Sequence, residues 1–281
     1  MEQNMKTIFI ERDSSRKVTD MASVHAHPYH ELYFLLSGER RYLIGHHLYD
    51  VLPGDIVIIP KTQLHRTTAL NNKGYERYVV YFLDDDISGF IDRIGKEAFE
   101  SFMSSGCLQL PQEHIMQIQQ NLHKMAHEQK KNDLLSQHLI INLLENIILN
   151  TMRYGKKKTV EQGKSTSKLQ AVMRYISENY TSDITLQDAA DIAFMERTYF
   201  SRCFKHVAGV GFNEYLTQIR LRTSEQLLQF SDLSISDISD RCGFSSSNYF
   251  CDVFKRSHNG IPPSEYRKKA GHLLPDMLPI E

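Results

Sequence analysis

Two stretches near the C-terminus place hydrogen-bonding side chains at helical spacing, and the second repeats the first 50 residues later. Residues at i, i+3, i+4 and i+7 lie along one face of a helix. Hydroxyl, amide, guanidinium and carboxylate groups on such a face can hydrogen-bond to base edges in the major groove of DNA. The polar positions are Thr198, Ser201, Arg202 and Lys205 in the first stretch, and Asn248, Cys251, Asp252 and Lys255 in the second.

Apolar residues take the other side of each predicted helix, and a short apolar helix is predicted before each, at 186–193 and 235–242. In the first copy the apolar stripe is Tyr199, Phe200, Cys203 and Phe204. A short helix, a tight turn and a longer helix, used twice, is typical of two helix-turn-helix units. Periodicity alone fits equally a helical hairpin that is repeated for packing.

Residues 169–269 resemble the double helix-turn-helix domain of the AraC/XylS family of bacterial transcription regulators. The resemblance implies a central helix at 212–230 whose buried side is Phe212, Leu216, Ile219, Leu227 and Phe230. It also implies that base edges and phosphates are contacted by Arg197, Thr198, Ser201, Arg202, Lys205, Ser247, Asn248, Cys251, Asp252 and Lys255. The matching residues are Phe204-Lys205, Phe212-Asn213-Glu214-Tyr215-Leu216, Arg220, Leu227-Leu228, Gly243-Phe244, Tyr249-Phe250, Phe254-Lys255 and Pro263-Ser264-Glu265-Tyr266-Arg267.

Length and charge fit a protein of two domains that binds specific DNA sites. The 281 residues suffice for two cores, and the formal net charge is −1. Residues 197–222 nevertheless carry five basic side chains against one acidic, Glu214. Positive charge that is confined to the helices favours site-specific binding over bulk phosphate binding. Four scattered cysteines without a CxxC pair, no leader segment and no apolar run of 18 residues predict a cytoplasmic protein with no membrane contact.

The N-terminal domain is predicted at residues 1–110, and from Thr7 to about Leu83 its sequence is typical of short β-strands. β-Branched and aromatic runs are separated by turn residues, which predicts a small antiparallel barrel or jelly roll. The predicted strands are 8–10, 32–36, 41–44, 55–59 and 78–82.

Within this predicted barrel, two motifs resemble those of the cupin family. The first is His25, His27, Glu31 and Gly38, and the second is Gly54, Pro60 and His65, with Ala69 in place of the usual terminal Asn. The resemblance implies a ligand-sensing barrel in which His25, His27, Glu31 and His65 hold a divalent metal. Two alternatives stay open: the same residues line a ligand pocket without metal, or they are ordinary core and surface side chains. Tyr33 and Arg41 are further pocket candidates.

Residues 111–154 are predicted to be helical and 155–168 to be a flexible basic linker before the DNA-binding domain at 169–281. The second helix of this segment is apolar on more than one side, so it must bury a face beyond the one against the barrel. A partner subunit is the natural occupant, which predicts a homodimer. The apolar stripe includes Leu135, Leu139 and Leu143.

The predicted fold is therefore multidomain β + α: a cupin-like β-barrel with a helical dimerisation segment, then an all-α double helix-turn-helix. We expect a transcription regulator, not an enzyme, that responds to a small-molecule effector. Its expected partners are double-stranded promoter DNA and RNA polymerase, with which it would act as an activator. No cofactor is required beyond the possible metal. The alternative is a metal-dependent cupin enzyme with an appended helical domain.

Overall fold

The computed structural model describes residues 8–16, 20–21, 23–71, 73–131, 133–158 and 164–270. The chain divides into two compact units, Met1–Ser167 and Lys168–Glu281. The first unit combines strands and helices, and the second contains helices only in its described part. Each unit has its own apolar core.

The first unit is built on two antiparallel sheets. A six-stranded sheet has the order β1-β7-β2-β5-β8-β9, and a three-stranded sheet has the order β4-β3-β6. This is the expected β-barrel architecture of a cupin-like domain. The strands are β1 (Phe9–Ser15), β2 (His30–Ser37), β3 (Arg40–Ile44), β4 (His47–Val51), β5 (Asp55–Ile59), β6 (His65–Ala69), β7 (Tyr75–Phe82), β8 (Cys107–Gln109) and β9 (Lys156–Lys157).

Both faces of the larger sheet are buried, and this explains why its central strands are almost wholly apolar. Successive side chains of a strand point to opposite faces. In β2, Tyr33 and Leu35 join the core inside the barrel, whereas Leu32 and Phe34 join a second core outside it. Helices cover that outer face, so β2 and β5 show no polar alternation.

Four helices and a 3-10 turn (Asp84–Ile87) follow β7 in this unit. They are α1 (Ser88–Ile94), α2 (Lys96–Met103), α3 (Gln112–Lys131) and α4 (Leu134–Tyr154). α3 and α4 pair with each other, and their apolar sides join the outer core through Ile118, Leu122, Leu144 and Ile148.

The linker predicted at 155–168 has regular structure at both ends, and the prediction of a flexible segment is corrected there. Lys156–Lys157 forms β9 and pairs with β8. α5 begins at Lys164, and residues 159–163 lie outside the described part of the chain. Both lysines of β9 are exposed because the strand lies at the sheet edge, so the sequence gives no apolar signal for a strand there.

The second unit contains seven helices in its described part. They are α5 (Lys164–Asn179), α6 (Leu186–Ile192), α7 (Arg197–Ala208), α8 (Phe212–Phe230), α9 (Ile235–Arg241), α10 (Ser247–Ser257) and α11 (Pro263–Ala270). α6 and α9 begin with the same capping box, in which Thr185 or Ser234 exchanges hydrogen bonds with an Asp three residues on. The internal repeat is thus a structural repeat.

The central helix α8 has the predicted bounds but a different buried side. Phe212 and Leu216 are buried as expected, whereas Phe230 is 84% exposed. In its second half the helix instead buries Leu221 and Leu228 in the core that it shares with α9 and α10. The sequence pattern missed this because α8 contacts both α7 and α9, so the buried stripe does not follow a single straight face.

Candidate nucleic-acid interface and candidate effector site

The first helix-turn-helix unit consists of α6 and α7. Phe200 and Phe204 are fully buried under α7, and truncating such a phenylalanine costs about 3–5 kcal/mol. Ala189 and Ala190 of α6 have no exposed surface, so the two helices cross with small side chains between them. Tyr199 was predicted on the apolar stripe but is 48% exposed. The packed face of α7 is therefore narrower than the sequence suggested.

The polar face of α7 carries the predicted contact residues. Arg197, Thr198, Arg202 and Lys205 are exposed, and Ser201 is half-buried. The Glu196 side chain caps the helix by accepting hydrogen bonds from the Thr198 and Tyr199 amides. These backbone hydrogen bonds lower the pKa of Glu196. A fixed carboxylate therefore stands beside the guanidinium groups that would approach DNA.

The second unit, α9 and α10, repeats the arrangement with different chemistry. Asn248, Asp252 and Lys255 are exposed, while Ser247 and Cys251 are half-buried. The Ser247 hydroxyl lies 3.1 Å from that of Ser236. Arg256 lies four residues after Asp252, but its Nε donates to the Asp252 backbone carbonyl rather than to the carboxylate. The Asp252 carboxylate forms no ion pair within the described residues.

The two tight turns show how the repeats differ. Gly243 has φ 78° in the second turn, and Phe194 has φ 51° in the first. Glycine takes such a conformation at little cost, whereas a bulky side chain is strained there. A Cβ at Gly243 would lie 2.6 Å from the Thr181 carbonyl oxygen, so only glycine fits at this turn. The Phe194 side chain is 84% exposed.

Arg220 ties the central helix to the start of the first helix-turn-helix unit. Its Nε donates to the Tyr180 carbonyl and its NH2 group to the Ser182 carbonyl, both at 2.8 Å. These carbonyls belong to the loop between α5 and α6. Arg220 thereby fixes the approach to α6 and contributes through the backbone rather than as a free cation.

In the barrel, the structure brings together the four residues of the cupin-like motifs. The backbones of His25 and His65 pair in an isolated β-bridge. Ligand atoms of His25, His27 and His65 all lie within 4.8 Å of one another. Glu31 Oε2 lies 3.1 Å from His27 Nε2 and 3.6 Å from His65 Nε2. His27, Glu31 and His65 are buried, and His25 is half-buried.

Backbone carbonyls determine which nitrogen of each buried histidine faces Glu31. His65 Nδ1 lies 2.8 Å from the Gln63 carbonyl, and His27 Nδ1 lies 3.1 Å from the Tyr29 carbonyl. A carbonyl only accepts, so His65 Nδ1 carries the proton and its Nε2 faces the carboxylate with a lone pair, whereas both nitrogens of His27 lie against acceptors, the Tyr29 carbonyl and the Glu31 carboxylate. His65 Nε2 is buried and has no hydrogen-bond partner in the described part of the chain.

The charges of this cluster follow from its burial. Burial lowers the pKa of His65 to about 4, so its ring is neutral at pH 7. Burial by itself raises the pKa of Glu31, but the hydrogen bond with His27 and the nearby rings of His65 and His27 lower it to about 2. A carboxylate therefore faces at least one nitrogen lone pair with nothing between them. A cation at this point would satisfy both.

The other two pocket candidates, Tyr33 and Arg41, lie on different sides of the barrel wall. Tyr33 faces the barrel interior, where its hydroxyl is buried without a hydrogen-bond partner among the described residues. Arg41 is corrected: it lies on the opposite face of β3 from the buried Tyr42 and forms two hydrogen bonds to Asp50 of β4. Sequence reasoning missed Arg77, whose guanidinium lies 5.6 Å from the Tyr33 ring. Strand alternation in β7 was the signal that could have identified it.

Two family models match the chain, and together they cover both units. Residues 11–144 match the AraC-like ligand binding domain. Residues 189–269 match a helix-turn-helix domain. The chain belongs to the AraC family of transcriptional regulators. Family membership accounts for both the paired helix-turn-helix units and the barrel that precedes them.

Relatives in this family match over different lengths. RafR of Pediococcus pentosaceus, the raffinose operon transcriptional regulatory protein, is 28% identical over 85% of each chain. The transcriptional activator RhaR of Escherichia coli K12 is 25% identical over 90% of each chain. The transcriptional regulator YijO of the same organism is 37% identical over 106 residues, which are 38% of this chain and 37% of YijO. The match to YijO thus spans little more than a third of that relative.

Proposed function

We propose that the chain regulates transcription by binding promoter DNA with α7 and α10. The observation that carries this proposal is the repeat of an exposed polar face on two short helices. Each helix is packed by two buried phenylalanines at equivalent positions, Phe200 and Phe204 in α7 and Phe250 and Phe254 in α10. Helices of this kind place side chains against base edges, and a tandem pair can occupy two successive major-groove segments. Arg202 can donate two hydrogen bonds to guanine, a contact worth about 1–3 kcal/mol of discrimination.

A small molecule inside the N-terminal barrel would control this binding. The residues proposed to contact it are His25, His27, Glu31, His65 and Tyr33. Buried polar atoms without partners cost about 1–3 kcal/mol each, and both Tyr33 and His65 contain one. A ligand with hydrogen-bonding groups would remove this cost. The raffinose operon named for RafR makes a sugar one reasonable class to screen.

A divalent metal is the second candidate occupant of the same cluster. Three imidazole nitrogens and one carboxylate suit Zn²⁺, Fe²⁺, Mn²⁺ or Ni²⁺. The Tyr29 and Gln63 carbonyls orient two of the rings, as outer partners do in metal sites. The unpartnered His65 Nε2 fits this reading. Such a metal would supply Lewis-acid coordination for an oxygen or nitrogen of the effector.

The proposed partners follow from the regulator model. Exposed leucines along α4 support a homodimer. RhaR is named an activator, and we extend that role to this chain, with RNA polymerase as the partner. Because bacterial promoter DNA lies in the cytoplasm, we expect the protein to act there. None of the described helices combines the length and the apolar character needed to cross a bilayer.

The competing function is a metal-dependent cupin enzyme with an appended helical domain. An enzyme has no need of two groove-sized helices with exposed polar faces, whereas a regulator needs both. The relatives are transcriptional regulators, which also favours a non-enzymatic role. Turnover of a substrate by the metal-loaded protein, without selective DNA binding, would support the enzyme.

Selection of bound sequences from random duplex DNA by the full chain tests the regulator proposal. We expect an enriched site whose two conserved segments lie about 10 base pairs apart, one helical turn of DNA. Binding should weaken steeply with salt, because phosphate contacts release counterions. Failure to enrich any sequence at low salt would contradict the proposal.

Elemental analysis of protein purified without chelators tests whether the cluster holds a metal, and less than about 0.2 equivalents of metal per chain would exclude a tight site.

A further inference from the structure

The chain returns to the barrel after α4, immediately before it passes to the second unit. Gly155 to Lys158 turn back along β8, and Lys156–Lys157 pairs with Leu108 and Gln109 as β9. At Gly155 a Cβ would lie 2.5 Å from the Thr151 carbonyl oxygen, so the close turn requires glycine. We name residues 155–158 the strap. Residues 159–163, which follow the strap, lie outside the described part of the chain.

Few interactions hold the strap, and most of them are polar. β9 is two residues long, lies at the sheet edge and has both side chains exposed. The Lys158 amide donates to the Cys107 carbonyl at 3.0 Å. The Lys158 ammonium pairs with Asp55, whose side chain is only 3% exposed. An element that buries no apolar residue belongs to the least stable part of a fold, so we expect the strap to open without unfolding the sheet.

The strand beneath the strap forms part of the wall of the barrel interior. The Cys107 side chain is fully buried in the inner core, in the same cluster as Tyr33 and Val57. Its backbone carbonyl, in contrast, accepts the hydrogen bond from the strap. One residue of β8 therefore contacts the interior with its side chain and the strap with its backbone. A molecule that displaced Cys107 would disturb the bond to Lys158.

We propose that the strap is a detachable element that couples the barrel interior to the DNA-binding unit. This inference rests on the proposed function, because it assigns the route by which the barrel controls DNA binding. When docked, the strap is held to the barrel as far as Lys158, so the connection to the second unit begins after that residue. Release adds four residues to that connection and so changes the freedom with which the second unit is tethered. The Lys158–Asp55 ion pair is the main interaction that holds the strap to the barrel.

Amide hydrogen exchange of the full chain, measured residue by residue by NMR, tests whether the strap opens by itself. We expect the Lys158 amide to exchange about 100-fold faster than those of Val57 and Ile58 in the sheet. Lys158→Met should speed exchange of the strap about tenfold further, because it breaks a largely buried ion pair. Lys156→Met is the matched control, since it makes the same change at an exposed position in the same strap. It should leave exchange unchanged.

The coupling is tested by DNA affinity. With a duplex selected by the unmodified full chain, Lys158→Met should change affinity about threefold or more relative to Lys156→Met, with slow exchange of Val57 and Ile58 retained. Equal affinity of the two variants, or strap amides that exchange no faster than the sheet, would overturn the inference. If the unmodified chain selects no duplex, the proposed function fails and the coupling falls with it. If both variants bind the selected duplex with equal affinity, the proposed function stands and only the inference about the strap fails.

Discussion

At the scale of single residues, the two recognition helices differ most where Arg202 in α7 corresponds to Asp252 in α10. Both are exposed on the polar faces. In the proposed complex, Arg202 would donate two hydrogen bonds to guanine and so carry base discrimination. Asp252 would bring a negative charge toward the phosphates, and it has no ion pair within the described residues to offset that charge.

Arg202→Ala should therefore flatten base preference over one half of the site, with about 1–3 kcal/mol of discrimination lost there. Asp252→Ala should leave affinity unchanged or raise it, with little change in preference. Binding profiles from random duplex libraries measure both effects. The assignment would be reversed if Asp252→Ala erased preference while Arg202→Ala did not.

The turn glycines of the second unit give a matched pair of tests for backbone constraint. Gly243 and Gly260 both have positive φ, but a Cβ at Gly243 meets the Thr181 backbone at 2.6 Å, whereas Gly260 has nothing within 4 Å. Gly260→Ala should cost about 1–2 kcal/mol for the left-handed backbone alone. Gly243→Ala should cost about 3 kcal/mol or more, because the clash adds to it. Urea unfolding of residues 168–281 measures the difference, and equal costs would refute the clash.

Which barrel side chains face inward could be predicted only in part. The motif residues His25, His27, Glu31 and His65 do converge, because His25 pairs with His65 in an isolated β-bridge and Glu31 of β2 lies against His27 and His65. Arg41 was expected inside and lies outside, whereas Arg77 was not considered and lies against Tyr33. A shift of one residue in strand register exchanges the two faces, and register depends on pairings that the sequence does not display.

At the scale of elements, one apolar side of α4 is exposed in the first unit. Leu135, Leu139 and Leu149 are 72%, 46% and 46% exposed, and their spacing places them along one side of the helix. The other side of α4 is buried in the outer core through Ile140, Leu144 and Ile148. Exposed leucines in a row fit an interface with a second copy of the chain.

Leu139→Glu should weaken self-association about tenfold or more, because it would bury a charge in an apolar contact. Lys96→Glu is the control, because the Lys96 side chain is 83% exposed and lies on a different helix, α2. Light scattering over micromolar concentrations, with and without DNA, measures the association. An unmodified chain that stays monomeric under both conditions would rule out the interface.

Elements with a strong periodic pattern were predicted well, and short edge elements were not. The bounds of α8 and of the paired helices agree with the sequence pattern, because apolar residues recur at helical spacing along each of them. β4, β6, β8 and β9 were missed. β4 includes His47 and Asp50, and β6 combines His, Arg and Thr with few apolar residues. Such strands are held by backbone pairing to neighbours, which leaves little trace in residue type.

At the scale of the whole molecule, the chain has two compact units, each with a separate core. A unit with its own core can unfold as its own cooperative transition. A substitution in the barrel should therefore act on one transition and leave the other unchanged. His65, which has no exposed surface and an unpartnered Nε2, is the sharpest position at which to examine this.

His65→Gln should lower the melting temperature of the first unit by about 5 °C, as expected for a buried polar substitution that costs about 2 kcal/mol. His127→Gln is the control, because that ring is largely exposed on α3. The second transition should be unchanged in both variants. If the cluster holds a metal, added Zn²⁺ should raise the first transition of the unmodified chain but not of His65→Gln, because only a folded site binds it. Equal shifts of both transitions in His65→Gln would mean that the units do not unfold independently, and an equal response to Zn²⁺ in both proteins would remove His65 from the metal site.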